Sequence, residues 1–147
     1  MIAALAGRTL VTAESCTGGG IGAALTAVPG SSAVYKGGII CYTNEVKNTL
    51  LGVSFELLDK YGAVSAQVAE AMALGVRKKL NSDYAISVTG LAGPTGDDFG
   101  NPVGTVFLGF CDKFGAISRE FHFTGEREEV RKQAIISALE LICEKIL

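Results

Sequence analysis

Apolar and polar positions along this chain change period several times, and the changes mark out its elements. Residues 8–13 form a short apolar, β-branched run that predicts a first strand. Residues 21–28 are small and helix-compatible, and Pro29-Gly30 ends them. Ser31-Ser32 then caps a short turn through Ala33 and Tyr35, and residues 37–43 read as a buried strand. Asn44 is a suitable N-cap for a helix reaching Leu51 and stopped by Gly52. A second short helix spans 54–61, closed by Gly62. From Ser65, apolar residues Val68, Ala69, Met72, Ala73, Val76 and Leu80 recur at three- and four-residue steps, the periodicity of an amphipathic helix. Residues 84–89 are continuously apolar, which suits a strand buried on both faces. Two strands follow, over 103–110 and 116–123, the second alternating and so half exposed. A closing helix covers 126–146. Residues 1–7 read as the remnant of a leading helix with Gly7 as its stop.

Helices and strands alternate early and a hairpin comes late, so the expected fold is α/β with a mixed sheet covered on both faces. The 147 residues fit one domain, with no repeat, linker or low-complexity segment. At 48% hydrophobic and 19% charged, the composition argues against disorder. A formal charge of -2 gives no basic field, so direct nucleic-acid binding is not expected. Four scattered cysteines without a C-x-x-C pair read as reduced thiols. One histidine, His122, leaves no metal site built on several imidazoles. No run approaches the ~20 apolar residues of a membrane span, and no signal-peptide pattern opens the chain. A cytoplasmic protein without membrane association is the expectation, and so apolar a chain is compatible with a homo-oligomer.

Candidate chemistry gathers at two glycine turns. Thr12-Ala13-Glu14-Ser15-Cys16-Thr17-Gly18-Gly19-Gly20 joins the first strand to the first helix. Helix-start N–H groups and glycines suit an anion or carbonyl cradle there. The same turn holds two nucleophile candidates, Ser15 and Cys16, beside Glu14. The bland alternative is a tight connection with glycines for packing. With histidine effectively absent, lysine is the natural base for a serine, provided that burial leaves it partly neutral. Lys47, about one turn into the helix after the second strand, is the candidate; the alternative is an ordinary solvated lysine. Tyr42 could be a core aromatic or lend its phenol to the site. Thr89-Gly90-Leu91-Ala92-Gly93-Pro94 ends another buried strand, where ligands of open α/β sheets collect. Two such turns suggest a pocket for a small molecule with phosphate or ribose. Arg127 and Arg131 share a helix face and could clamp its charge, or could simply be salt-bridged surface residues.

Together these stretches, with Pro29-Gly30-Ser31-Ser32, Tyr42-Thr43-Asn44-Glu45-x-Lys47, Gly62-Ala63-Val64-Ser65, Pro102-Val103-Gly104-Thr105-Val106 and Arg127-x-x-x-Arg131-x-x-Ala134, resemble the CinA C-terminal domain family. The resemblance runs in order from about Arg8 to the C-terminus. It implies a three-layer α/β/α fold with a mixed, mostly parallel sheet, as one domain over 1–147. The family includes stand-alone amidohydrolases that convert nicotinamide mononucleotide to nicotinate mononucleotide and ammonia. That activity implies a small nucleotide substrate, no metal and no cofactor. The family's serine–lysine pair falls on Ser32 and Lys47 by this resemblance, with Tyr42 close by and Ser31 as the neighbouring alternative. Ser15, Thr89 and Arg131 fall around the ligand, joined by Thr17, Gly18, Gly19, Gly90 and Arg127. Three departures stand out: the short leading segment, a 95–101 loop of its own composition, and the missing N-terminal domain of full-length CinA. The rival function is a non-catalytic module of the competence or damage response acting through protein partners.

Overall fold

The computed structural model describes residues 1–5 and 7–147. Five strands, β1 (Leu10–Glu14), β2 (Tyr35–Ile40), β3 (Tyr84–Gly90), β4 (Thr105–Asp112) and β5 (Gly115–His122), form one sheet in the order β2-β1-β3-β4-β5. β1 pairs parallel with β2 and with β3. β4 runs against both β3 and β5, so four of the five strands point the same way. The mixed α/β sheet expected from the sequence is the one found. Its strand boundaries shift by one to three residues: β2 begins at Tyr35 and stops at Ile40, before Tyr42 and Thr43, which lead into the next helix.

The alternation along each strand distributes the core between two faces. Leu10, Ile86, Val88, Val106, Leu108 and Phe110 point to one side, under α1 (Gly20–Thr26) and α5 (Arg127–Ile146). Val11, Ala13, Ala85 and Cys111 point to the other, under α2 (Asn44–Leu51), α3 (Phe55–Tyr61) and α4 (Ala66–Lys79). The layers are therefore α/β/α. Ser54 and Ser65 cap α3 and α4 with their hydroxyls, as Ser/Thr N-caps do. The leading segment holds a short 3-10 turn, Ala3–Leu5; residue 6 of the expected helical remnant lies outside the described residues. Among the described residues no helix is long and apolar enough to cross a membrane.

This topology positions the site. The chain leaves β1 for α1 on one face, and leaves β2 for α2 on the opposite face. Neighbouring parallel strands whose connections diverge in this way open a crevice at their carboxyl ends.

Candidate active site

Ser15 follows the last residue of β1 and is held by the sheet on both sides. Its N–H donates to Val88 O of β3 (3.0 Å), while Glu14 O accepts from Cys41 N at the end of β2 (2.8 Å). Glu14 is 2% exposed, and its carboxylate turns away from the crevice toward α1. It accepts from Thr17 Oγ1 (2.6 Å), Ile21 N (2.7 Å) and Gly22 N (3.0 Å). A buried charge satisfied by three donors fixes the turn that carries Ser15. Arg131 braces that turn from α5, donating to Cys16 O (3.0 Å) and Thr17 O (3.2 Å).

Lys47 enters from the other side of the crevice. Thr43 starts α2 by accepting from Val46 N (3.3 Å), and Gly52 ends it in the left-handed region, at φ 71°. Lys47 is 1% exposed, the largest side chain so deeply buried in the protein. Its Nζ lies 2.9 Å from Cys41 O, 3.3 Å from Tyr42 O and 3.1 Å from Ser15 Oγ. Among the described residues no carboxylate lies within ion-pair distance of it. Burial without a counter-charge disfavours the ammonium form and lowers the Lys47 pKa, against weaker opposing contributions from Cys41 and Cys16. The two carbonyls can only accept, so they take two N–H groups. In the amine form the third direction, toward Ser15, carries the lone pair.

These groups open on a cavity of about 330 Å³. Ser15, Cys16 and Lys47 form its floor; Tyr42 and Arg127 stand at its rim; Thr89, Gly90 and the turn beyond them form a wall. Arg127 donates to Gly93 O (2.7 Å) and to the Tyr42 hydroxyl (3.2 Å), tying the rim together. Thr89 donates to Ala63 O (2.8 Å), which fixes the opposite wall. Burial pushes the Cys16 thiol up to about 11, so Cys16 has little thiolate at neutral pH.

The expected Ser32–Lys47 pair is not formed. Ser31 and Ser32 lie in a 3-10 turn, Ser31–Ala33, that leads into the amino end of β2, whereas Lys47 serves the carboxyl end. Six residues of strand, roughly 20 Å, separate the two ends. Ser32 is solvent-exposed, and neither serine lines the cavity. The serine beside Lys47 is Ser15. Thr17, Gly18, Gly19 and Arg131 do not line this cavity: Thr17 donates to Glu14, and Arg131 donates to Cys16 O and Thr17 O. Ser15, Tyr42, Lys47, Thr89, Gly90 and Arg127 do face it. The sequence reading did not find the carbonyls of Cys41 and Tyr42 as partners of Lys47, because backbone groups leave no residue-type signal.

The profile of the CinA C-terminal domain family matches residues 2–146. The chain belongs to that family. This CinA domain is 51% identical over 143 residues to a CinA-like protein of Thermosynechococcus vestitus, covering 95% of the chain and 34% of the relative. A CinA-like protein of Endomicrobium trichonymphae is 46% identical, over 99% of the chain and 36% of the relative. The chain thus spans about a third of the length of these curated relatives. Among solved structures, a competence-damaged protein (CinA) superfamily protein from Klebsiella pneumoniae superposes with a TM-score of 0.95 at 36% identity. That match covers 99% of this CinA domain and 92% of the other chain. A competence/damage inducible protein from Agrobacterium tumefaciens gives 0.93 at 40% identity, covering 97% and 89%.

Proposed function

We propose that this CinA domain is an amidohydrolase that deamidates nicotinamide mononucleotide, with Ser15 as nucleophile and Lys47 as its base. The observation that carries the reading is a buried lysine, free of any carboxylate partner, 3.1 Å from a serine hydroxyl on the floor of a cavity. A serine needs an adjacent base, and an amine with a lowered pKa is one. Keeping such a lysine dry costs stability, which a surface that only docks a partner has no need to bear. That consideration favours the enzyme over the non-catalytic competence or damage module.

The steps balance without a cofactor. Ser15 Oγ attacks the carboxamide carbon as its proton passes to Lys47 Nζ. Lys47 returns that proton to the amide nitrogen, the C–N bond breaks, and ammonia leaves an acyl ester on Ser15. Water, deprotonated by the same amine, hydrolyses the ester to nicotinate mononucleotide. The tetrahedral oxyanion needs donors close to Ser15 Oγ, and the N–H groups of Cys16 and Thr17, which follow Ser15 in the turn, are the candidates. Neither donates to a backbone carbonyl among the described residues. One such donor contributes roughly 3–4 kcal/mol of barrier lowering. Arg127, at the rim, is the cation available to the phosphate. Nothing in this scheme requires a metal or a second domain.

Incubating the purified protein with nicotinamide mononucleotide and measuring ammonia together with the acid product tests the reading. Stoichiometric release of both supports it. No release at high enzyme concentration contradicts it and returns the domain to the binding-module reading.

A further inference from the structure

The cavity floor and wall continue into a second recess of about 300 Å³, which shares Asn44, Ala63, Val64, Leu91 and Gly96 with the main cavity. Arg127 does not line this recess; Asp98 and Phe99 of the 95–101 loop do. Phe99 is a large apolar side chain left 51% exposed, yet its position is firmly set. Its ring packs over Gly62, where a Cβ would come within 2.7 Å of it. Its loop is braced by Asp97, whose carboxylate accepts from Phe99 N (3.1 Å), Asn101 N (3.0 Å) and Asn101 Nδ2 (2.8 Å). Asn101 also donates to Val64 O (3.1 Å), fastening the loop to the wall of the main cavity. Asp97 and Asp98 both line the recess; the Asp97 oxygens are taken up by the loop's own N–H groups, which leaves Asp98 as the carboxylate with no loop partner.

An aromatic face held open beside a carboxylate is a site for a flat cation. The far rim, at Arg127, has the opposite charge, so the elongated cavity is polarised along its length. We propose that Phe99, with Asp98 beside it, determines specificity by selecting an amide carried on a cationic aromatic ring over the same amide on a neutral ring. The inference rests on the proposed amidohydrolase reading and deepens it, because the pyridinium ring of nicotinamide mononucleotide is such a cation.

The test measures binding to the full-length Ser15→Ala variant, which cannot turn the ligand over. Dissociation constants are compared for nicotinamide mononucleotide and for its reduced, uncharged dihydropyridine form, which keeps the same ribose phosphate. The expected result is tighter binding of the cationic form, with Phe99→Leu shrinking that preference about 5- to 20-fold while Phe99→Tyr retains it. Asp98→Asn should shrink it as well. A preference unchanged in Phe99→Leu, or no binding of either form, overturns the proposal. Failure of the deamidase reading shows differently: the unsubstituted enzyme releases no ammonia, while the binding preference still reports on Phe99.

Discussion

Lys47 Nζ lies 3.1 Å from Ser15 Oγ, although 32 residues separate the two in the chain. The parallel pairing of β1 with β2 makes that meeting: Ser15 leaves one strand and Lys47 sits one turn into the helix after the other. Because the connections pass to opposite faces, serine and lysine approach each other across the crevice from opposite sides.

The amine form of Lys47 is the active form in this account, so its titration should govern rate. Burial lowers the Lys47 pKa from its ordinary value of 10.5. As pH rises through that lowered pKa, kcat/KM should climb and then level off; Lys47→Met should remove activity across the whole range. Stability carries the same sign. Between the folded and unfolded pKa values the unfolded chain binds more protons, so the wild type gains stability as pH rises. Lys47→Met lacks this slope. Denaturant titrations of both proteins at several alkaline pH values should show the wild type gaining on the variant.

Cys16 sits beside the nucleophile and invites misassignment. Its thiol is pushed up to about 11 and is only 7% exposed. Cys16→Ala should keep kcat/KM within about 3-fold, since nucleophilicity requires thiolate. Iodoacetamide at pH 7.5 should leave turnover of the wild type unchanged over the time of an assay.

Glu14 holds the turn and is not expected to move a proton. Glu14→Ala strands Thr17 Oγ1 and the N–H groups of Ile21 and Gly22. Hydrogen bonds to a charged group are worth about 1.5–3 kcal/mol each, with partial recovery by water, so a loss of about 3 kcal/mol is expected. Glu14→Gln, which keeps one acceptor, should lose less. Chemical denaturation of the two variants checks the order.

Gly75 lies inside α4, where alanine would ordinarily favour the helix by about 1 kcal/mol. Here a Cβ would stand 2.1 Å from Leu51 O, a backbone atom at the end of α2. Gly75→Ala should therefore destabilise the protein, by about 2 kcal/mol, through overpacking. Because α2 carries Lys47, kcat should fall as well. A matched pair of a thermal melt and an ammonia assay tests both effects.

Much of the fold was legible because local signals agreed. Ser54 and Ser65 announced α3 and α4, and Gly52 and Gly62 closed the helices before them. The continuous apolar run at 84–89 marked the central β3. Lys47, Tyr42, Thr89 and Arg127 were singled out from chemistry and resemblance, and all line the cavity. The partner of Lys47 was not found. The resemblance put the pair on Ser32 and Lys47, and residue types alone do not show that β2 carries the chain from the amino end of the sheet, beside Ser32, to its carboxyl end, which Lys47 serves. Arg131 misled for a similar reason: its i,i+4 spacing with Arg127 puts both on one helix face. Only the packing of α5 on the first glycine turn shows that Arg131 gives two of its five donors to carbonyls of that turn.

The central claim is that Ser15, and not Ser32, forms the acyl bond with Lys47 as base. Its most direct test is ammonia release from nicotinamide mononucleotide by Ser15→Ala and Ser32→Ala, assayed beside the wild type. The account predicts that Ser15→Ala loses at least about 10³-fold in kcat, as removal of a serine nucleophile does. Ser32→Ala should stay within about 2-fold of the wild type, because an exposed serine away from the cavity contributes little. The reverse pattern, or full activity in Ser15→Ala, would contradict the account.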